Sequence, residues 1–208
     1  MRKGIPIVVS AASGTGKTSL CLRLLQTLSH VERSISYTTR SIRGDEINGR
    51  DYYFVEKNKF ERMVENDEFL EWADVFGKKY GTGEAAVRRQ LDAGVDVLLD
   101  IDVQGGLQVQ QKLPEAVLIF LLPPSMEELR RRLINRATDA PEEIERRLNE
   151  ASNEMQQCRN YDYLVLNDDF EKAAADLRSV IVGARHRTNR NLEWVDRLKM
   201  TKGKNRPE

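Results

Sequence analysis

A glycine-rich segment between a strand-like and a helix-like stretch constrains the fold of this chain more than any other feature. The apolar run at residues 5–9 predicts a buried strand, and residues 18–29 have leucines at helical spacing. Between them lies SAASGTGKTSL, residues 10–20, which approaches the pattern G-x-x-x-x-G-K-[ST]. A loop of this kind points successive backbone N–H groups at phosphate oxygens beside the positive end of a helix dipole. The sequence therefore predicts a phosphate-binding loop that joins a strand to a helix.

One residue of this loop departs from the usual pattern, because Ala11 stands where the first glycine is expected. Its methyl group is tolerable at the strand exit if the φ angle of Ala11 stays negative. Lys17 would then reach the β- and γ-phosphates, and Thr18 would offer its hydroxyl to Mg²⁺. A glycine-rich turn without a ligand is the alternative interpretation. The predicted nucleotide-binding residues of the loop are Ala11, Ala12, Ser13, Gly14, Thr15, Gly16, Lys17, Thr18 and Ser19.

Three further apolar runs predict the rest of the central sheet. They are VDVLLDID, AVLIFLL and YDYLVLN, and each follows a helix-like stretch. Such alternation favours an α/β fold with a mostly parallel sheet and helices on both faces. Between residue 37 and about residue 83, glycines punctuate aromatic and charged pieces, which indicates an inserted lobe. A second insertion is expected where RRRLINRATDAPEEIERRL predicts two charged helices joined by a turn, with Pro141 at the first helical position.

The composition limits the classes of partner. The chain has 33 basic and 33 acidic residues, so it has no overall attraction to nucleic acid or to membranes. Two cysteines and two histidines give no convincing metal cluster. The N-terminal apolar run is shorter than the core of a signal peptide or a membrane span. We therefore expect a soluble protein of the reducing cytoplasm, whose oligomeric state the sequence leaves open.

A second group of residues could hold another phosphate. Arg40 and Arg43 lie three residues apart near a predicted turn, and Tyr52 and Tyr80 follow in the inserted lobe. Two guanidinium groups and two phenols can bind one phosphate through charge-assisted, directional hydrogen bonds. Surface charge beside core aromatic residues is the alternative.

The order and spacing of several motifs resemble those of the guanylate kinase family. The motifs are SGTGKTS, SYTTR, GRDYYFV, EFLEWA, YGT, LLDIDVQG, LPPS and LNDDF, and they extend from residue 5 to about residue 185. The resemblance implies a P-loop NTPase-type parallel sheet with inserted nucleotide-acceptor and lid segments. It also implies Mg²⁺-dependent transfer of the γ-phosphoryl group of ATP to GMP. The expected core comprises residues 1–35, 88–125 and 150–208, with a GMP-binding segment at 36–87 and a lid at 126–149.

The resemblance also assigns roles to individual residues of the acceptor site. Arg40, Arg43, Tyr52 and Tyr80 match residues that hold the GMP phosphate, while Ser36, Glu71 and Thr82 match residues that face guanine. Guanine offers N1–H and a 2-amino group as paired donors that one carboxylate can accept, and its O6 needs hydroxyl donors. Glu71 is therefore the expected specificity residue.

Two aspartates follow the strand VDVLLD. By resemblance Asp100 is expected to hold Mg²⁺ through water and Asp102 to lie on the guanine side, although the sequence alone leaves that division open. Strand-end acids that only cap a helix or form ion pairs are the alternative.

The lid and the donor base site complete the implied set. Arg132, Arg136 and Arg147 match lid arginines, of which Arg136 and Arg147 with Lys17 are the expected catalytic residues. Ala137 replaces a glycine common in bacterial members, which leaves the lid hinge undetermined. Asn167 matches the position that borders the adenine of ATP, but a strand-end turn residue is an equally good interpretation.

Two other functions remain as alternatives. A guanylate-kinase-like protein-binding module would use the same cleft for peptides, but such modules usually have a degraded phosphate loop, whereas Lys17 and Thr18 are intact here. A kinase for another nucleoside monophosphate would not need the combination of Glu71, Ser36 and Thr82.

Overall fold

A computed structural model of the chain describes residues 3–75, 77–135 and 141–202. The strands within these ranges are β1 (Pro6–Ala11), β2 (Val31–Arg33), β3 (Tyr37–Thr38), β4 (Tyr53–Phe54), β5 (Phe69–Val75), β6 (Lys78–Gly83), β7 (Asp96–Asp100), β8 (Val117–Leu122) and β9 (Tyr163–Leu166). The helices are α1 (Lys17–Thr27), α2 (Lys57–Glu65), α3 (Glu84–Asp92), α4 (Val103–Lys112), α5 (Met126–Ile134), α6 (Pro141–Gln156), α7 (Phe170–Arg185) and α8 (Thr188–Lys202). A 3₁₀-helix, Gln157–Asn160, follows α6.

Five strands form a parallel sheet in the order β2-β7-β1-β8-β9. The central strands β1, β7 and β8 are nearly continuous apolar runs because both faces of the sheet are covered. On one face, α1 and α7 pack against the odd-numbered side chains of β1, such as Ile7 and Val9. On the other face, Val8 packs with residues of α3 and α4. The predicted α/β fold with helices on both faces is therefore confirmed.

A second sheet accounts for the composition change between residues 37 and 83. Its strands have the order β4-β3-β6-β5, and β5 pairs with β6 in antiparallel register. Helix α2 covers this sheet with a small core of its own, formed by Phe60, Met63 and Phe69. Because β5 pairs with β6 on one side only, it lies at the edge of the sheet.

The second predicted insertion is a pair of helices. Apolar residues of α5 and α6, including Leu133 and Ile144, pack together with Ala12 of the loop after β1. Helix α6 begins at Pro141, as predicted. Residues 138–140 of the predicted turn lie outside the described residues, as do Arg136 and Ala137. No helix within the described ranges is both long and apolar enough to cross a membrane.

Candidate active site

The loop between β1 and α1 has the conformation that its glycines were expected to provide. Gly14 has a φ of 91° and Gly16 a φ of 97°, in the region that side chains disfavour. A Cβ at Gly14 would lie 3.0 Å from Leu129 Cδ1, and one at Gly16 would lie 2.7 Å from the amide nitrogen of Asn167. Both glycines are therefore required by backbone conformation and by close packing.

Ala11 does not disturb this loop. It is the last residue of β1, it is buried, and it pairs with Leu121 of β8. Among the described residues the non-glycine positions with positive φ are His30 and Asp67, so Ala11 keeps an ordinary extended conformation. An alanine can therefore replace the usual first glycine because this position belongs to the strand and not to the turn.

The loop encloses a small concave space at the start of α1. The space has a volume of about 190 Å³ and is lined by the whole predicted set, residues 11–19. Gly16 is the N-cap of α1, and no side chain of the described residues caps this end. The backbone N–H groups of the first helical turn are thus not taken by a capping side chain, which suits an anionic ligand.

Lys17 connects this loop to the end of β7. Its ammonium group lies 2.8 Å from Asp100 Oδ1 and donates to the carbonyl of Ile101 at 2.7 Å. Thr18, the next residue, is exposed at the mouth of the loop. Oxygen donors of this kind suit Mg²⁺, which is usually held by one or two protein groups together with substrate phosphates. The described residues include no cluster of three or more His, Cys, Asp or Glu side chains arranged for a metal.

Asn167 and Arg132 both contact the backbone of the phosphate loop. The Asn167 amide donates to the carbonyl of Thr15 at 2.6 Å, and the Arg132 guanidinium donates to the same carbonyl at 3.3 Å. Arg132 also donates to the Asn167 carbonyl and pairs with Glu128. The Asn167 side chain is buried and stabilises the loop, a contact that the sequence analysis did not foresee. Its expected position beside adenine stays a prediction.

The two arginines of the acceptor segment share one carboxylate. Arg40 donates from both terminal nitrogens to Glu46, at 2.8 and 2.7 Å, and the backbone N–H of Arg43 donates to Glu46 at 2.9 Å. The pKa of Glu46 is lowered to about 2, chiefly by its hydrogen bond with Arg40. Arg40 is buried, whereas the Arg43 side chain is exposed. Glu46 therefore fixes the Arg40 guanidinium and the Arg43 backbone, while the Arg43 side chain is left exposed to solvent.

The two predicted phenols lie beside Arg40. The Arg40 guanidinium is 5.1 Å from the ring centre of Tyr52, and the rings of Tyr52 and Tyr80 are 6.1 Å apart in an edge-to-face arrangement. The pKa of Arg40 is raised, mainly by its hydrogen bonds with Glu46 and to a smaller extent by Tyr80. The structure thus brings together Arg40, Tyr52 and Tyr80, as a phosphate site requires.

Glu71 lies in a buried pair with Thr82. The Thr82 hydroxyl donates to Glu71 Oε1 at 2.6 Å, and both residues are almost completely inaccessible to solvent. Burial raises the pKa of the Glu71 carboxyl to about 7, against the lowering effect of Thr82 and with a further contribution from Asp102. Because a hydroxyl has one hydrogen, Thr82 must turn away from Glu71 before it can donate to guanine O6.

The other two predicted guanine-side residues lie near this pair. Asp102 is the N-cap of α4, where its carboxylate accepts from the N–H of Gly105 at 2.7 Å. The capping interpretation of Asp102 is therefore correct, while a role toward guanine stays a prediction. Ser36 is half-buried before β3, and its carbonyl accepts from Tyr53 N–H at 2.9 Å.

A cleft of about 620 Å³ joins these elements. It is bounded by the phosphate loop, the end of β5, the start of α4 and helix α6. The lining residues are Ser13, Asp74, Val75, Asp102, Gln104, Arg146, Arg147, Glu150, Asn153 and Glu154. Arg147 lies on the wall of the cleft, where it approaches Glu143 at 3.4 Å. The other predicted catalytic arginine, Arg136, lies outside the described residues. The cleft is large enough for the reacting parts of two nucleotides.

The sequence analysis missed three polar residues of the site. Glu46 holds the acceptor arginines, Gln108 contacts β5 beside Glu71, and Glu154 faces Asp102 across the cleft. Burial raises the pKa of Glu154 to about 7, and the nearby charge of Asp102 adds to the effect. Only Glu46 had a local signal, because it lies three residues after Arg43 in the same turn.

Comparisons with known proteins agree with this geometry. A family model described as guanylate kinase matches residues 3–184. The chain is 46% identical over 197 residues to a guanylate kinase of Geobacter sulfurreducens, covering 95% of this chain and 97% of that one. It is 52% identical over 182 residues to one of Acinetobacter baylyi, covering 88% of each chain. A crystal structure of guanylate kinase from Anaplasma phagocytophilum superimposes with a TM-score of 0.76 at 34% identity, covering 93% of this chain and 94% of that chain. The chain belongs to the guanylate kinase family.

Proposed function

We propose that this protein transfers the γ-phosphoryl group of ATP to GMP, giving ADP and GDP. The observation that supports this most is the buried Glu71–Thr82 pair. It lies close to Asp102, which lines the same cleft as Ser13 of the intact phosphate loop. A carboxylate and a hydroxyl match the hydrogen-bonding edge of guanine, while adenine has no matching pair of donors. The combination favours a kinase for guanine nucleotides over a kinase for other bases.

In the proposed complex, each nucleotide has its own set of residues. The loop at residues 11–19 and Lys17 would hold the ATP phosphates, with Asn167 near the adenine side. Arg40, Arg43, Tyr52 and Tyr80 would hold the GMP phosphate. Ser36, Glu71, Thr82 and Asp102 would face guanine. This arrangement would bring the GMP phosphate oxygen to the γ-phosphoryl group.

The catalytic task in this scheme is alignment and positive charge. Phosphoryl transfer has a loose transition state with charge on the equatorial oxygens, so a strong base is not needed. Lys17, Arg136 and Arg147 would stabilise the moving group, while Arg40 and Arg43 fix the attacking phosphate. We assign no covalent nucleophile to this reaction.

The residues near the loop also fit Mg²⁺. The exposed Thr18 hydroxyl would be a direct ligand, and Asp100 would act through water, because it lies at the end of β7 against Lys17. When bound, Mg²⁺ supplies positive charge to the β- and γ-phosphate oxygens.

We further propose a division of the chain into three parts. The core comprises residues 1–35, 88–125 and 150–208, the GMP-binding segment 36–87, and the lid 126–149. Closure of the two inserted segments over the core would exclude water, which otherwise hydrolyses ATP.

A comparison of acceptors tests the proposed function. The protein is incubated with ATP, Mg²⁺ and GMP, AMP, UMP or dTMP, and the nucleoside diphosphates are measured. We expect GDP and ADP in equal amounts from GMP and little product from the other three. If no acceptor yields product while GMP or a phosphopeptide still binds, the protein is a binding module; if AMP is preferred, the assignment of Glu71 is wrong.

A further inference from the structure

One face of helix α4 contacts the edge strand β5 through three residues. Gly105, Gln108 and Lys112 follow each other at spacings of three and four, so they lie on the same side of the helix. Lys112 donates to the carbonyl of Phe69 at 2.8 Å. Gln108 bonds to Trp72, and Gly105 lies against the Glu71 carboxylate. The helix therefore contacts β5 two residues before Glu71, at Glu71 and at the next residue.

Gln108 pairs with the strand as a neighbouring strand would. Its side-chain oxygen accepts from Trp72 N–H at 3.1 Å, and its side-chain nitrogen donates to the Trp72 carbonyl at 2.9 Å. The backbone groups on the open side of an edge strand need partners of both kinds. A primary amide supplies a donor and an acceptor together, which a carboxylate or an ammonium group cannot do. Glutamine is thus chemically matched to this position.

The pairing occurs next to an irregularity in the sheet. The register of β5 against β6 shifts between Phe69 and Glu71, so the ladder is irregular immediately before the buried carboxylate. Lys112 holds the strand at Phe69 and Gln108 holds it at Trp72, on either side of Glu71. The helix therefore holds β5 on both sides of the irregularity, from the edge that β6 does not cover.

Gly105 shows how closely the helix and the carboxylate fit. A Cβ at this position would lie 2.6 Å from Glu71 Oε2, which is far inside normal contact. A small shift of β5 along or away from α4 would therefore move the Glu71 oxygens relative to the cleft. Binding sites of this kind need their groups held to within about 0.5 Å.

We propose that Gln108 is a positioning residue for guanine recognition, acting through the backbone of Trp72 to hold Glu71 in place. The inference rests on the proposed function, since it takes Glu71 as the group that binds the guanine donors. Gln108 is half-buried, so water can replace its hydrogen bonds when the side chain is removed. Its loss should therefore affect base recognition more than folding.

The test compares Gln108→Leu with Gln111→Leu. Gln111 is an amide on the same helix with an exposed side chain, so it controls for the loss of a glutamine from α4. We measure kcat and KM for GMP and for IMP, which lacks the 2-amino group, at saturating ATP. For Gln108→Leu we expect a rise in KM for GMP of about 10-fold or more, a smaller rise for IMP, and thus a lower GMP/IMP ratio. Gln111→Leu and the Kd for ATP should not change.

A second variant and a direct measurement make the result decisive. Gln108→Glu keeps the acceptor for Trp72 N–H and loses the donor to the Trp72 carbonyl, so it should reproduce the lower ratio if Gln108→Leu does not fold. Hydrogen exchange of the Trp72 amide should become faster in Gln108→Leu, which loses the acceptor, and should change less in Gln108→Glu, which keeps it. If the wild-type protein uses GMP but the folded Gln108 variants keep the same GMP/IMP ratio, this inference is wrong and the proposed function still stands. Equal losses for GMP and IMP with a lowered Tm also overturn it, because they indicate general loosening. If the wild-type protein neither binds nor phosphorylates GMP, the proposed function fails first and the inference fails with it.

Discussion

The ammonium group of Lys17 lies 2.8 Å from the carboxylate of Asp100, at the junction of the phosphate loop with the end of β7. The Asp100 side chain is only 8% exposed and that of Lys17 is 21% exposed. In this structure Lys17 therefore neutralises a nearly buried acid as well as facing the loop. A substitution of Lys17 should therefore have two separable effects. It should lower kcat through the nucleotide phosphates, and it should lower the free energy of unfolding because Asp100 loses its partner.

We predict that Lys17→Met abolishes phosphoryl transfer, lowering kcat by at least about 10³-fold, because the charge on the phosphates is lost. The free energy of unfolding should fall by about 1–3 kcal/mol, since Asp100 is left without its partner. The double variant Lys17→Met/Asp100→Asn should recover that stability and remain inactive. Turnover near the wild-type rate in a single variant that circular dichroism shows to be folded would disprove the assignment of the phosphate loop.

The second prediction concerns the lid helix. Arg147→Met should lower kcat by about 10²-fold or more and change KM for GMP little, because contacts to the moving phosphoryl group strengthen in the transition state. Arg130→Met is the matched control, since Arg130 pairs with Glu145 on the outside of the lid. This control should leave kcat nearly unchanged. An effect of Arg147→Met on KM alone would place this residue in ground-state binding.

A third prediction follows from the raised pKa of Glu71. Two donors of guanine need an ionised carboxylate, and the pKa of Glu71 is about 7 before ligand binds. The Kd for GMP should therefore fall as the pH rises from about 6 to 8. The phosphate of GMP also titrates near pH 6, so the same series with Glu71→Gln measures that contribution by itself. Parallel pH profiles in the two proteins would show that Glu71 does not control binding in this range.

The raised pKa of Glu71 also predicts that the ligand-free protein becomes less stable as the pH rises, although GMP binding becomes tighter. The pKa of Glu71 lies above its ordinary value of 4.5 in the folded protein, so the folded state retains a proton that the unfolded chain releases. The contribution of Glu71 to stability is complete below pH 4.5 and is lost as the pH rises through 7. Glu71→Gln should therefore raise the Tm of the ligand-free protein by a few degrees at pH 8 and by less at pH 5. An equal change at both pH values would mean that the carboxylate is not the source.

Much of the fold could be predicted because its signals are local. The apolar strands, the helix after the loop and the need for glycine at positions 14 and 16 each follow from neighbouring residues and their spacing. The contacts that complete the site are not local. Asn167 bonds to Thr15 across 152 positions, and Gln108 bonds to Trp72 across 36, so no periodicity marks either pair.

The expected role of Asn167 shows the same limit. Position in a motif suggested the adenine side of ATP, which stays a prediction, but it gave no sign that the amide donates to the loop carbonyl of Thr15. For Thr82, spacing could indicate a hydroxyl near guanine but not that its hydrogen already belongs to Glu71. Such choices between partners depend on distances that are set only in the folded structure.

The sharpest prediction concerns base choice. Glu71→Gln replaces one acceptor oxygen by a donor that faces a guanine donor, so a charged hydrogen bond is lost and a repulsive contact is gained. We expect the activation free energy for kcat/KM with GMP to rise by about 2–4 kcal/mol, which lowers kcat/KM roughly 30- to 900-fold. The Kd for ATP, measured without GMP, should not change, because its phosphates bind at the Lys17 loop.

IMP determines whether this loss arises at the 2-amino group. IMP keeps N1–H and O6, so the wild-type protein should use it poorly, and Glu71→Gln should discriminate less between GMP and IMP. If Glu71→Gln lowers activity but leaves the GMP/IMP ratio unchanged, Glu71 does not bind the amino group. Asp102 would then be the better candidate, because its carboxylate lies at the start of α4 on the wall of the same cleft. Asp102→Asn should in that case lower the ratio while Glu71→Gln does not.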